Sequence, residues 1–390
     1  MKIITKNSEL QEFCTKAANS KYITIDTEFL RERTYFSKLC LIQLAIPGNE
    51  NDSAVLVDNL ANKLDLSPIY KLFQNENVVK VFHAARQDVE IFYLDSGIFP
   101  YPLFDTQIAA MVCGFGDQVA YETLVKQVAK QTLDKSSRFT DWSRRPLTEA
   151  QKKYALADVT HLRIIYEFLS QKLQKTNRLT WVEEEIKILI SPETYNFDPK
   201  NSWRRIKTKS NSRRFLGIVA ALAEFREKFA QTKNIPRNRV IKDDALLELA
   251  SNKPKNLDDL SKSRLLLREA RKGELASGLL NAIEKGINTP EADLPEKLDK
   301  TDKSIVNSAL SDLLRVLLKS CSESAGVASK LIASASDLDS LAAGDRSLAA
   351  LQGWRLEIFG KSALDLCNGK IGLSVKGKKV TTIELGQLGD

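Results

Sequence analysis

The stretch Tyr22-Ile23-Thr24-Ile25-Asp26-Thr27-Glu28-Phe29 carries apolar residues at most of its odd positions and reads as a half-buried strand. Residues two apart on a strand share a face, so Asp26 and Glu28 present their carboxylates together. Any fold built on this strand must bring positive charge to that face. Two further acids come from other contexts: Asp88 in His83-Ala84-Ala85-Arg86-Gln87-Asp88, and Asp158 in Tyr154-Ala155-Leu156-Ala157-Asp158. Tyr154 and Asp158 are four apart in a stretch with helical spacing, so they too share a face. Ligands that are all oxygen suit hard divalent ions such as Mg2+ or Mn2+, and four carboxylates are enough for two of them.

The order and separation of these three motifs resemble the ribonuclease D family, 3′ to 5′ exoribonucleases of the DEDD superfamily. Flanking text carries the resemblance further: Arg31-Glu32-Arg33-Thr34-Tyr35-Phe36 and Leu41-Ile42-Gln43-Leu44 follow the first motif, and Asp134-Lys135-Ser136-Ser137-Arg138-Phe139-Thr140-Asp141-Trp142 precedes the third. The likeness spans nearly the whole chain. It implies an RNase H-like 3′ to 5′ exonuclease domain, of class α/β with a mixed sheet, followed by two all-α bundles of the HRDC type. It also implies two divalent ions (Mg2+ or Mn2+) and release of nucleoside 5′-monophosphates from RNA 3′ ends, tRNA precursors included. By the same resemblance Asp26 bridges the ions, Glu28 and Asp158 complete the nucleophile-side site, and Asp88 holds the leaving-group side, partly through water. Tyr154 then positions the attacking water. In the histidine-type branch a histidine stands five places before the last aspartate; here that place is Lys153, so the chain is of the tyrosine type. His161 falls on the wrong side of Asp158 to substitute.

At 390 residues, 43% hydrophobic and 28% charged, the chain can bury more than one core and is expected to form two or three domains. The N-terminal stretch turns polar too soon for a signal-peptide core, and no apolar run reaches membrane-spanning length. A cytoplasmic location, no membrane partner and a monomeric state are the expectations. Cys14, Cys40, Cys113, Cys321 and Cys367 are scattered, odd in number and without a C-x-x-C pair, which reads as free thiols.

Charge is unevenly distributed. Residues 1–200 hold 25 Lys+Arg against 26 Asp+Glu, residues 201–290 hold 20 against 10, and residues 291–390 hold 13 against 14. The surplus is densest at Arg204, Arg205, Lys207, Lys209, Arg213 and Arg214, a run without an acid. Beside a near-neutral catalytic domain, such a segment attracts a polyanion from a distance, so these six residues are candidate RNA contacts. A solvated linker is the alternative.

Along residues 1–200, strands are expected at Tyr22 to Glu28, Leu39 to Ile46, Ala54 to Val57 and Val78 to Phe82, the second and third joined as a hairpin through Pro47 to Ser53. Helices are expected from Leu64 to Gln74, around Asp88, and through most of Thr106 to Leu173. Residues 210–290 form the first, basic bundle, with Phe215, Ile218, Val219, Leu222 and Phe225 at helical spacing and Asp243 or Asp244 as the next N-cap. Residues 304–368 form the second, near-neutral bundle, which is as well suited to packing on the nuclease domain as to touching RNA. The stretch Thr289 to Pro295 reads as a linker, and 369–390, with Lys376-Gly377-Lys378-Lys379, as a solvated tail.

Phe29 is placed either to stack on the terminal base or to fill the core, and His83 either to touch substrate or to support the site. Asp105 and Asp141 read as decoys among the carboxylates. Gln43 and Gln107 have no assignable chemistry. Two other functions share these residues: a DNA-directed 3′ to 5′ exonuclease of the proofreading type, and a non-catalytic RNA-binding protein. The second predicts a lost motif acid, and none is lost.

Overall fold

The computed structural model describes residues 2–48, 50, 52–61, 63–134, 136–210, 212–296 and 307–385. The expected start of the second bundle at 304 and the end of the tail beyond 385 lie outside these residues.

The nuclease domain is a mixed six-stranded sheet. It opens with β1 (Lys2–Ile4) and helix α1 (Asn7–Ala17), followed by β2 (Tyr22–Leu30), β3 (Lys38–Ala45), β4 (Ala54–Val57), α2 (Ser67–Phe73), β5 (Val79–Phe82), α3 (Arg86–Ser96), β6 (Leu103–Asp105) and α4 (Thr106–Val112). The strand order is β1-β4-β3-β2-β5-β6. β3 runs antiparallel to both β2 and β4, so the expected hairpin is present, while β1 with β4, β2 with β5 and β5 with β6 are parallel pairs. Three elements were not among the sequence expectations: β1 and β6 are each three residues long, too short to show an alternation, and α1 lies in a polar stretch.

β2 is not half-buried. Ile23 and Ile25 fill one face, but Tyr22 and Thr24 are buried on the other, beneath the long helix α6 (Glu149–Lys175), which crosses β2, β3 and β4. The Thr24 hydroxyl donates to the Val159 carbonyl at 2.8 Å and ties strand to helix. Between α4 and α6 runs α5 (Tyr121–Leu124), one π turn, and an irregular segment. That segment is pinned by Arg145, whose guanidinium grips Asp58 through two 2.7 Å bonds and donates to the Cys40 and Trp142 carbonyls. A Thr148 and Gln151 capping box then starts α6. The helices expected through most of Thr106 to Leu173 are therefore interrupted from Lys130 to Thr148, a longer gap than a break at Arg145-Pro146 implies, because Asp, Ser and Pro favour turns over helix there.

α7 (Leu179–Leu189), α8 (Pro192–Tyr195) and a 3-10 helix (Pro199–Arg205) lead to the first bundle: α9 (Arg213–Lys233), α10 (Arg237–Val240), α11 (Asp243–Asn252), α12 (Leu257–Ser261) and α13 (Gly273–Asn288). Its core includes Ile218, Val219, Leu222, Leu246, Leu249 and Leu279. Neither Asp243 nor Asp244 is the cap of α11: Lys242 holds that place, and Asp243 instead pairs with the buried Arg226 at 2.6 Å. The stretch after α13 is no free linker, since Leu294 is buried and packs on Gly217.

The second bundle comprises α14 (Ser308–Ala325), α15 (Ser329–Ile332), α16 (Ala335–Ala342), α17 (Gly353–Arg355), one π turn and α18 (Lys361–Cys367). It docks on the nuclease domain. The Ala328 amide donates to the Met111 carbonyl at 2.9 Å, and Arg178 donates to the Ala325 carbonyl at 2.7 Å. The backbones of Gly114 and Gly326 approach so closely that a Cβ on Gly114 would sit 2.6 Å from the Gly326 oxygen. The tail is also a correction: Ile371–Lys376 (β7) and Lys379–Glu384 (β8) form an antiparallel hairpin bonded to α14 through Ser320 and Val380. All five cysteines are free. No helix among the described residues is long and apolar enough to cross a membrane.

Candidate active site

Asp26 and Glu28 leave β2 on the face covered by α6, and Asp158 descends from α6 onto them. Carboxylate oxygens of these three residues lie within 4.8 Å of one another, a spacing that one small cation can satisfy. Asp88 reaches the same region from α3. Its neighbour is Thr27, which points to the opposite face of β2 and donates its hydroxyl to an Asp88 oxygen. The strand thus supplies two candidate ligands on one face and the support of another candidate ligand on the other. Asp88 also lies in the first turn of its helix, where the backbone favours negative charge.

Four acids this close repel each other. Burial, and then the charges of Asp158, Asp88 and Glu28, hold the Asp26 carboxyl well above the usual range. Burial and the charges of Asp158 and Asp88 push Glu28 up to about 9. Burial raises Asp88 and Asp158 to about 7 each. With protein groups alone the cluster holds extra protons; a divalent cation relieves the same repulsion without them. The all-oxygen donor set and its surplus negative charge fit Mg2+ or Mn2+. Beside the cluster, Gln43 lies across from Asp26 on β3, fully buried with neither amide atom hydrogen-bonded.

The Tyr154 hydroxyl lies one helical turn from Asp158 and favours its charged form. Burial and then the charges of Asp158, Glu28 and Asp26 raise its pKa far above neutrality, so it remains a phenol. Asp26, Tyr154 and Asp158 line one pocket with His83, Tyr121 and Arg138. His83 is held by Thr106 at 3.0 Å, its ring lies against Tyr121, and burial lowers its pKa, so it faces the pocket as a neutral imidazole. Phe29 follows a bulge in β2 immediately after Glu28 and is partly buried beside the acids.

Asp105 stays out of the cluster. It accepts from the Ala84 and Ala85 amides at 3.0 and 2.8 Å and holds the loop that aims α3, in which Ala84 adopts a left-handed φ of 56°. Asp141 caps an exposed turn at Ser143. Three residues near the acids were not singled out from sequence. Thr27 carries no sequence signal of its own between two acids, and Tyr121, which donates to the Asp158 carbonyl at 2.6 Å, lies in no motif. Arg138 was legible only as part of the stretch before α6.

The basic segment does not form one surface. Arg213 and Arg214 turn back to carbonyls at and beyond the end of α13: Arg213 to Glu291 and Leu294, Arg214 to Ile287 and Thr289. Lys207 and Lys209 are exposed. Arg204 lies in a groove with Lys200 and Trp203, whereas Arg205 stacks at 4.0 Å on Phe197 in a different cleft.

Residues 1–174 match the 3′-5′ exonuclease family model, and residues 215–283 match the HRDC domain model. The chain is 59% identical to ribonuclease D of Jannaschia sp., over 98% of this chain and 99% of that one. It is 47% identical to ribonuclease D of Granulibacter bethesdensis, over 98% and 97%. Among solved structures, that of Escherichia coli RNase D, an exoribonuclease involved in structured RNA processing, superposes with a TM-score of 0.80 at 28% identity and covers 94% of this chain and 98% of its own.

Proposed function

As the chain belongs to the ribonuclease D family of 3′ to 5′ exoribonucleases, we infer that Asp26, Glu28, Asp88 and Asp158 hold two divalent ions for stepwise hydrolysis of RNA from its 3′ end. The observation that carries this reading is the convergence of three carboxylates within 4.8 Å, with Tyr154 lining the same pocket. When bound, Mg2+ or Mn2+ supplies charge neutralisation at the phosphate, activation of the attacking water and stabilisation of the departing 3′ oxygen.

The protein groups orient that chemistry. Asp26 would contribute to both metal sites, with Glu28 and Asp158 completing the one that activates the attacking water. Asp88, anchored by Thr27, would hold the ion that stabilises the departing oxygen. Tyr154 donates a hydrogen bond and accepts one through the same oxygen, so it can fix the attacking water while remaining protonated. Phe29 and His83 border the space for the terminal nucleoside. The products are nucleoside 5′-monophosphates, and the substrates are RNAs with a single-stranded 3′ end, tRNA precursors among them.

Matched RNA and DNA strands, labelled at the 5′ end and incubated with and without Mg2+ or Mn2+, test this directly. A descending ladder from RNA only, and only with metal, is expected. Equal trimming of DNA would move the protein to the DNA-directed class, and RNA binding without trimming would make it a non-catalytic binder.

A further inference from the structure

The largest clue outside the acid cluster is an open cleft of about 850 Å3 between the nuclease domain and the first bundle. Its walls carry Arg31 and Arg86 from the nuclease side and Arg205 and Arg237 from the other, with Phe36 and Phe197 among them. Its nuclease wall is built from residues next in sequence to the acid motifs. Arg31 is three residues beyond Glu28 on the chain that forms β2, about 10 Å along an extended backbone. Arg86 is two residues before Asp88, on the first turn of α3.

The cations are presented rather than consumed. Among the described residues neither Arg86 nor Arg205 has an ion-pair partner, and both are exposed. The guanidinium carbon of Arg205 sits 4.0 Å from the centre of the Phe197 ring. Arg237 is held rigidly by the buried Glu227, at 2.5 and 2.6 Å, and by the Tyr35 hydroxyl at 3.0 Å, over the Tyr35 ring. Only Arg31 is shared with an acid on the cleft wall, Glu90 at 3.3 Å. Phe36 is 37% exposed at the rim, its edge against Tyr35. Tyr35 and Phe36 are themselves locked to the first bundle, because both their amides donate to the Asn234 side chain at 3.1 and 3.0 Å. The cleft therefore has a fixed shape, set by residues from both domains.

Fixed guanidinium groups interleaved with aromatic rings match a chain of phosphates and bases, which needs a cation for each phosphate and a flat apolar face for each base. An acidic peptide would use the cations and leave the rings without partners. We propose that this cleft binds the sugar-phosphate strand immediately upstream of the scissile phosphate, with Arg86 and Arg205 on phosphates and Phe36 under a base. The proposal rests on the exoribonuclease reading above. It transfers the gripping role from the contiguous run 204–214 to residues far apart in sequence, of which only Arg205 belongs to that run.

The test is equilibrium binding of an unstructured single-stranded RNA, followed by fluorescence anisotropy in EDTA over a series of salt concentrations. Metal-dependent trimming by the wild-type protein is measured alongside. The double variant Arg86→Gln with Arg205→Gln should raise Kd at least tenfold and flatten the slope of log K against log salt by about 1.4, two contacts at about 0.7 each. Phe36→Leu, which keeps bulk at an exposed position and removes the ring, should raise Kd about fivefold without changing that slope. Circular dichroism spectra like the wild type's verify folding. If the wild-type protein trims RNA but all three substitutions leave Kd and slope unchanged, the cleft is not the RNA path. If the wild-type protein trims no RNA at all, the exoribonuclease reading fails instead, whatever the cleft binds.

Discussion

The ring of Trp181 on α7 lies face to face with that of Trp354 on α17, with 4.5 Å between centroids and 9° between planes. Arg355, beside the stack, reaches across the same boundary to Glu184 at 3.1 Å and to Glu185. This seam joins the near-neutral second bundle to the nuclease domain. Trp354 and Arg355 of this bundle are thus engaged by the nuclease domain, whereas the surplus of positive charge lies in residues 201–290.

Trp181→Ala should loosen this seam without emptying the bundle core, to which Trp354 contributes more deeply. Stacked aromatic pairs are worth roughly 0.5–1.5 kcal/mol beyond the area they bury. The Ala328 amide, bonded across the seam to Met111, should exchange with solvent several-fold to tenfold faster by hydrogen-exchange mass spectrometry, with turnover on short RNA little changed. Unaltered protection at Ala328 would mean that the stack contributes nothing to docking.

The four acids should behave as one unit. Asp26→Ala, Asp88→Ala and Asp158→Ala are each expected to lower turnover at least roughly 10²-fold, and pairs of them little further, because each removes a ligand the same ions require. Thr27→Val, which deletes only the hydroxyl bonded to Asp88, should give a smaller loss, roughly tenfold, that excess metal partly restores. Full activity of Asp26→Ala in metal-containing buffer would refute the site.

The site was legible where chemistry forces a spacing. Asp26 and Glu28 share a face because of the strand period, and Tyr154 and Asp158 because of the helical one. Support from outside those periods was not legible. Nothing in the sequence tells Thr27 that its partner is sixty-one residues away, or Arg145 that it closes on Asp58. The same holds for charge: a contiguous basic run suggested one surface, but Arg213 and Arg214 cap carbonyls across a helix pair, a use of arginine that depends on tertiary neighbours. Short β1 and β6 escaped because three residues carry no period, and the terminal hairpin because its side chains are largely exposed and its pattern is weak.

Metal binding should strengthen with pH. Unfolded carboxyls titrate near 4, whereas Glu28 is pushed up to about 9 and Asp88 and Asp158 to about 7 in the folded protein. Between those limits the metal-free folded state holds more protons than the unfolded one, so these groups destabilise it progressively as pH rises. Cations must displace the same protons, which becomes easier over the same range. The gap in Tm between Mg2+-loaded and EDTA-treated protein should therefore widen from about pH 6 to about pH 9. A gap independent of pH in differential scanning calorimetry would count against these acids as the ligands.

Tyr154 should separate from the acids by its kinetic signature. Its pKa is raised by burial and by the carboxylates around it, so it is unsuited to act as a base at neutral pH. What it can supply is one oriented oxygen for the attacking water. Tyr154→Phe retains the ring that leans on Trp142 at 6.0 Å and removes only that oxygen. Turnover should fall roughly 10²-fold in kcat, near the low end for a positioned proton-transfer group, while KM for RNA and the metal concentration at half-maximal activity stay within a few-fold. The opposite pattern, with activity recovering at saturating Mg2+, would show that the hydroxyl instead holds Asp158 in place as a ligand and leaves the water to be oriented by the acids alone.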